Sequence, residues 1–243
     1  MEILVINGKQ VRELLPMHEC IDAMEAALMA LRRGAALNPL RMVLGLPEQH
    51  GYLITMPSYV TDAMGVKVIS VMPGNHGTQY DSHMGAVLLF EAKYGAPLAL
   101  IEAGAITATR TAAVSGAATR LLARKDAGDL AILGSGVQAR THLEAMQVAR
   151  QLRRVRVWSR NPEHAQAFAE QESARIGIAI EPMATVQAAV QGADLICTTT
   201  ASAEPILKGD WVLPGAHLNL VGASLPTARE SDTALMVIAR LFV

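Results

Sequence analysis

Leu130-Ala131-Ile132-Leu133-Gly134-Ser135-Gly136-Val137-Gln138-Ala139 is a run of buried-strand residues that turns directly into a glycine-rich loop and then into helix-forming sequence. It has the G-x-G-x-x-A spacing of a dinucleotide-binding loop, and its positions have separate physical duties. Gly134 permits the tight turn out of the strand, Gly136 lets the backbone approach a pyrophosphate with no Cβ in the way, and Ala139 is small enough for close helix–strand packing. The free N–H groups at the helix start then face the phosphates, aided by the helix dipole. Gly134, Ser135, Gly136, Val137, Gln138 and Ala139 are therefore candidate cofactor contacts. Alone the pattern also fits a simple turn, so its surroundings decide.

Outward from the loop, Leu143, Met146, Ala149 and Leu152 recur at helical spacing, Val155–Trp158 reads as a short strand, and Asn161-Pro162 reads as a helix start with proline at the first helical position. Strand, loop, helix and strand within about thirty residues make a βαβ mononucleotide unit. The second strand ends Trp158-Ser159-Arg160-Asn161 without the acid that an NAD-selective unit places against the ribose 2′-hydroxyl. Arg160 can pair with a 2′-phosphate as a fork and Ser159 can donate to it. The reading is NADP(H), with NAD(H) the alternative; a solvated Arg160 at a strand end is the bland one.

The chain has 243 residues, a net charge of −1 and 4% aromatic residues, which excludes both a basic footprint and a stacking platform for nucleic acid. Mean hydropathy is high at +0.26, yet charges interrupt every apolar stretch before the roughly 18 residues of a membrane span. The start Met1-Glu2-Ile3-Leu4 has no basic region ahead of an apolar one, so no secretory signal is read. Cys20 and Cys197 are far apart and fit reduced, buried thiols of a cytoplasmic protein. No Cys/His spacing for a metal appears; His50, His76 and His83 are scattered in loops.

Residues 1–112 read as a separate mixed α+β domain. A short strand at 3–6 and a helix at about 16–33 precede strand-like runs at 41–46, 52–56, 65–71, 84–91 and 97–102, with turns such as Pro73-Gly-Asn-His-Gly77 and a hairpin at Ala92–Ala96. A helix from about 107 to 122 bridges to residues 113–243, and Arg124–Gly128 reads as a hinge. From there helix (162–175), strand (178–181), helix (184–191), strand (194–199) and strand (217–222) argue for an α/β, doubly wound parallel sheet of Rossmann type. Thr198 and Thr199 end a strand on the carboxyl edge, where ligands bind, so their hydroxyls either contact the nicotinamide ribose or form a polar loop. Leu241-Phe242-Val243 reads as part of a strand with no solvated tail after it, which predicts that the fold continues beyond this chain.

Three cations lie in apolar stretches: Arg41, Lys67 and Arg110. A buried cation needs an anion or costs roughly several kcal/mol. Glu102 or Asp81 would be structural partners. Converging cations beside a nicotinamide pocket would equally suit a small carboxylate substrate, with a lysine of lowered pKa serving as acid or base.

Pro39-Leu-Arg41, Gly65-Val-Lys67, residues 85–100, Ile106-Thr-Ala-Thr-Arg-Thr-Ala-Ala113, Gly134–Ala139, Trp158-Ser-Arg160 and Gly222–Asp232 together resemble the ornithine cyclodeaminase/mu-crystallin family over essentially the whole length. The resemblance implies an N-terminal substrate and dimerisation domain before a Rossmann domain, and a cytoplasmic homodimer. It places Arg41, Lys67 and Arg110 on a substrate carboxylate, with Lys67 assisting proton transfer, and Thr111 among the cofactor contacts. Cyclodeaminases, by resemblance, have an acid in the loop where this chain reads Gly222-Ala223-Ser224, and Ser224 cannot serve as a base at neutral pH. With Glu230 and Asp232, that loop is similar instead to the branch of mu-crystallin, ketimine reductases and alanine dehydrogenases. The expected activity is an NAD(P)-dependent reductase or dehydrogenase of a small imino or oxo acid. A cyclodeaminase recycling NAD, and a non-catalytic NADP-binding crystallin, are the alternatives.

Overall fold

The computed structural model describes residues 2–48, 50–75, 78–223 and 227–243; His76, Gly77 and Ser224 lie outside them. The chain divides into two compact units, Met1–Thr111 and Ala112–Val243.

The first unit contains β1 (Leu4–Ile6), α1 (Gly8–Leu14), α2 (Met17–Arg32), β2 (Ala36–Leu37), β3 (Met42–Leu46), β4 (Gly51–Val60), β5 (Ala63–Val71), β6 (His83–Glu91), β7 (Pro97–Glu102) and the start of α3 (Ala103–Leu122). Its sheet runs β1-β7-β6-β5-β4-β2, with β3 also on β4. Neighbours are antiparallel except β1 with β7. The β6–β7 hairpin closes where the Glu91 carboxylate accepts from the N–H groups of Lys93 and Tyr94, with Gly95 at a positive φ. Helix α1, which apolar spacing does not announce, is set by a capping box in which Asn7 accepts from the N–H of Gln10 and the Gln10 side chain accepts from the N–H of Asn7.

Register assigns the two faces of this sheet. Met56, Lys67, Val87 and Ile101 align across β4, β5, β6 and β7, while Pro57, Val66, Leu88, Leu100 and Val5 align on the other face. The Lys67 face is the helical one, since Lys67 meets Thr107 of α3. Val11, Met17, Cys20, Ile21, Ala103, Ala105 and Ala108 supply the buried helical residues. On the opposite face Val5, Leu98 and Leu100 remain exposed.

The second unit contains β8 (Asp129–Leu133), α4 (Val137–Ala149), β9 (Arg154–Trp158), α5 (Pro162–Ile176), β10 (Ile180–Pro182), α6 (Val186–Val190), β11 (Leu195–Thr198), β12 (His217–Leu220) and α7 (Thr233–Ile238). Its sheet runs β10-β9-β8-β11-β12 and is parallel throughout. The chain builds outward from β8 to β10 and then crosses to β11, so the order reverses between β8 and β11. That reversal opens a crevice at the carboxyl ends of those two strands. Leu130, Ile132 and Leu133 are fully buried, each contributing about 1.5–3 kcal/mol of apolar transfer.

Two expectations are corrected. Arg124–Gly128 is not a hinge between units: it lies inside the second one, where the Asp194 carboxylate accepts from the N–H groups of Gly128 and Asp129 and pairs with Arg124 and Arg153. The terminal apolar run is not a strand. Asp232 accepts from the N–H of Leu235 and so starts α7, which buries Leu235, and 239–243 has no regular structure.

Candidate active site

In the second unit, β8 ends at the glycine-rich loop. Gly134 sits at φ +115°, a conformation open mainly to glycine, and a Cβ there would lie 2.7 Å from the carbonyl oxygen of Thr199. The loop after β11 is thus pressed onto the first glycine. Gly136 is different: a Cβ added to it would meet no protein atom within 4 Å. It caps α4 without a side-chain hydrogen bond, which leaves the first N–H groups of that helix free. Val137 beside it is exposed, Ala139 is fully buried against the strand, and Gln138 Oε1 is buried with no hydrogen-bond partner. An open approach, free N–H groups and an unmatched polar atom fit a pyrophosphate-bearing cofactor.

Ser135 Oγ donates to Ser159 Oγ at 3.0 Å, tying the glycine loop to the end of β9, where Arg160 is exposed. Thr199 donates from its N–H and its hydroxyl to the Leu133 carbonyl (2.8 and 3.0 Å) and is partly exposed at the edge. Thr198, also read as a cofactor contact, is placed otherwise: it is fully buried, and its hydroxyl donates to Glu230 at 2.7 Å. The pleat of the sheet decides this, since neighbours in a strand point to opposite sides.

Beneath the loop lies buried polar structure that sequence reading missed. His142 of α4 donates from Nδ1 to the Gln138 carbonyl at 2.7 Å and accepts at Nε2 from Ser115 at 3.0 Å, and burial pushes its pKa down to about 4. The ring is therefore neutral at neutral pH, in the tautomer that braces the first turn of α4. Asn219 donates to Thr119 Oγ1 at 3.1 Å and approaches the Cys197 sulfur, whose pKa burial raises to about 12. Arg156, in the middle of β9 and only 2% exposed, donates to the carbonyls of Ala188 and Gln191. None of these carries a sequence signal beyond residue type.

The first unit gathers the cations. Lys67 is half-buried, and its Nζ donates to Thr107 Oγ1 at 3.3 Å. Burial, then the charges of Arg110 and Arg41, lower its pKa to about 8. Arg110, on α3 with an exposed side chain, has its ionised form opposed by the protein packed around it and by Arg41, and is eased only by Cys20. Arg41 is exposed just before β3, and Thr111 is partly exposed on α3. Among the described residues, no carboxylate acts on Lys67 or Arg110. Glu102 does not serve them. Its two oxygens instead accept from the N–H groups of Gly104 and Ala105 at the start of α3 (2.5 and 2.7 Å). Such a cluster is poised for an anion from outside the protein. Among the described residues there is no group of His, Cys, Asp and Glu that could hold a metal ion, and no helix long and apolar enough to cross a membrane.

Fold and side chains define a class: a Rossmann-type unit joined to an α+β unit in which, among the described residues, no carboxylate acts on Lys67 or Arg110. The whole chain, residues 1–243, matches the ornithine cyclodeaminase/mu-crystallin family, and it belongs to that family. It is 41% identical to the ketimine reductase mu-crystallin of Mus musculus over 228 residues, 92% of this chain and 72% of that protein. Among solved structures it is similar to the Δ1-pyrroline-2-carboxylate reductase of Thermococcus litoralis in complex with NADH and L-proline. The TM-score is 0.89 and the identity 37%, covering 96% of this chain and 73% of that one. It is also similar to an archaeal alanine dehydrogenase dimer with bound NAD (TM-score 0.93, 30% identity, 99% and 73% covered).

Proposed function

We propose that this protein is an NADPH-dependent reductase of small imino acids of the pyrroline- or piperideine-2-carboxylate type. The observation that carries the reading is the trio Arg41, Lys67 and Arg110, which press on one another with no carboxylate acting on Lys67 or Arg110 among the described residues. A substrate carboxylate relieves that repulsion, and the two guanidinium groups hold it as forks. Lys67 then holds at Nζ a proton that a pKa of about 8 makes transferable near neutral pH, available to a nitrogen that gains charge demand as C=N is reduced. Thr107 Oγ1 keeps the lysine aimed.

Gly136, the free N–H groups of α4 and the end of β9 would hold the cofactor, which when bound supplies the hydride. Ser159 and Arg160, with no acid between Trp158 and Asn161, favour the 2′-phosphorylated form. Relatives support the chemistry: one is a ketimine reductase and another was solved with NADH and L-proline. We further read the protein as a cytoplasmic homodimer, since its thiols are buried and unpaired and the exposed apolar face through Val5, Leu98 and Leu100 needs cover.

The test offers the purified chain NADPH or NADH with pyrroline-2-carboxylate, and separately ornithine with catalytic NAD. Loss of the reduced-nicotinamide absorbance with the imine alone supports the reductase. Proline and ammonia from ornithine would replace it with a cyclodeaminase, and cofactor binding without turnover in either assay with a binding protein.

A further inference from the structure

We infer that Glu230 is a positioning residue for the nicotinamide half of the cofactor, clamping Thr198 and Thr200 at the end of β11 to Gly222 just past β12. The inference rests on the dinucleotide reading of the second unit. Glu230 is only 1% exposed, and a buried carboxylate is costly unless every lone pair finds a donor. Here each oxygen has two. Oε1 accepts from the Thr200 N–H (2.7 Å) and the Thr200 hydroxyl (2.6 Å), while Oε2 accepts from the Thr198 hydroxyl (2.7 Å) and the Gly222 N–H (2.7 Å). All four donors belong to the carboxyl ends of two adjacent strands, and the four hydrogen bonds take the place of a counter-ion.

The clamped loops touch so closely that a Cβ on Gly222 would lie 2.0 Å from the Thr200 carbonyl oxygen. Between the two clamped threonines, Thr199 faces the opposite way, onto Leu133 and Gly134. The adenosine half of a dinucleotide lies toward the end of the second strand of such a unit, here β9, so the nicotinamide half crosses the reversal toward β11 and β12. Glu230 thus fixes the edge over which the reacting ring lies, without touching it. The glycine loop keeps its own ties, from Gly134 N–H to the Trp158 carbonyl (2.7 Å) and from Thr199 to Leu133.

The test compares each reduced coenzyme with its counterpart lacking the nicotinamide ring: NADPH with 2′-phospho-ADP-ribose, and NADH with ADP-ribose. Coenzyme affinity is read by nicotinamide fluorescence and fragment affinity by calorimetry, so turnover of any imine is not required. Glu230→Gln keeps the shape but turns an NH₂ toward two of the four donors. It is expected to raise the Kd of the reduced coenzyme about tenfold and leave the fragment Kd within about twofold. Thr200→Val removes one hydroxyl donor and is expected to act in the same direction, about threefold. If Glu230→Gln fails to fold, Thr200→Val decides by the same comparison. Unchanged coenzyme affinity in a folded variant overturns the inference, and so does an equal loss for coenzyme and fragment, which marks general damage. A wild-type chain that binds neither coenzyme nor fragment overturns the dinucleotide reading itself, and the inference with it.

Discussion

The two glycines of the loop look equivalent in sequence, but the structure gives them opposite expectations on replacement by alanine. At 134 the new Cβ would lie 2.7 Å from the Thr199 carbonyl oxygen and 2.8 Å from its Oγ1, on a backbone at φ +115°. That conformation costs about 1–3 kcal/mol for a residue with a side chain. Thr199 must also move, loosening its bonds to the Leu133 carbonyl, worth about 0.5–1.5 kcal/mol each. The sum is roughly 2–6 kcal/mol, and at about 2–4 °C per kcal/mol for a chain of this size Gly134→Ala should lower Tm by about 4–24 °C. At 136 a Cβ meets nothing within 4 Å, and only the poorer capping by alanine remains, about 0.5 kcal/mol or under 2 °C. Yet that methyl group occupies the approach reserved for the pyrophosphate, so Gly136→Ala should raise the coenzyme Kd at least about tenfold, or 1.4 kcal/mol. Thermal unfolding without coenzyme and fluorescence titration with it measure both numbers. A Gly136→Ala protein that unfolds as easily as Gly134→Ala, or binds coenzyme as tightly as wild type, would refute the reasoning.

Other outcomes follow from the same residues. Arg110→Met removes a charge-assisted contact worth about 1.5–3 kcal/mol, so KM for the imino acid should rise about 10- to 150-fold in steady-state assays; an unchanged KM removes Arg110 from the substrate. Folded Lys67 loses its proton near pH 8, whereas an unfolded lysine keeps its own to about 10.5. The unfolded chain therefore binds more protons between those values, and stability should rise with pH across that window, a rise that Lys67→Met abolishes in denaturant melts. Over the same window imino-acid affinity should fall, because a carboxylate prefers the charged lysine. Ser159→Asp places an acid where a 2′-phosphate would sit and should shift the NADPH/NADH ratio of kcat/KM toward NADH by about tenfold or more; a constant ratio sinks the assignment of that strand end. Val5 and Leu100 pair across β1 and β7 on the exposed face, and Leu100→Asp should reduce the mass seen by light scattering from twice 25.9 kDa to 25.9 kDa.

What the sequence made legible was whatever local physics determines alone. Asn161 and Pro162 announce α5, and in the structure Asn161 accepts from the N–H of Glu163 while Gly177 ends the helix at a positive φ. Strand β4 (Gly51–Val60) runs past the 52–56 read from the sequence, through Pro57. It continues to Val60 because β3 pairs with β4 only as far as Thr55 and β2 begins at Tyr59, so Pro57 falls in the gap between them, where a missing N–H is tolerated. From local pattern the cations at 41, 67 and 110 were three separate anomalies and only the family resemblance grouped them, since the electrostatic influence of Arg41 and Arg110 on Lys67 arises from strand register and helix packing that no spacing encodes.

Glu230 shows why the remainder stays hidden. Its neighbours in sequence are polar and exposed in character, and nothing nearby marks it as a residue that will be buried. Its burial follows from four donors presented by segments 8 to 32 residues away, which converge only because β11 and β12 are adjacent and parallel. A motif such as Gly134–Ala139 is visible because one short segment performs the whole task. An edge made from two strand ends and a distant carboxylate divides the task among pieces that each look ordinary. For this chain, the part that would grip phosphate is therefore readable at once, while the part that would aim the reacting ring emerges only from the fold.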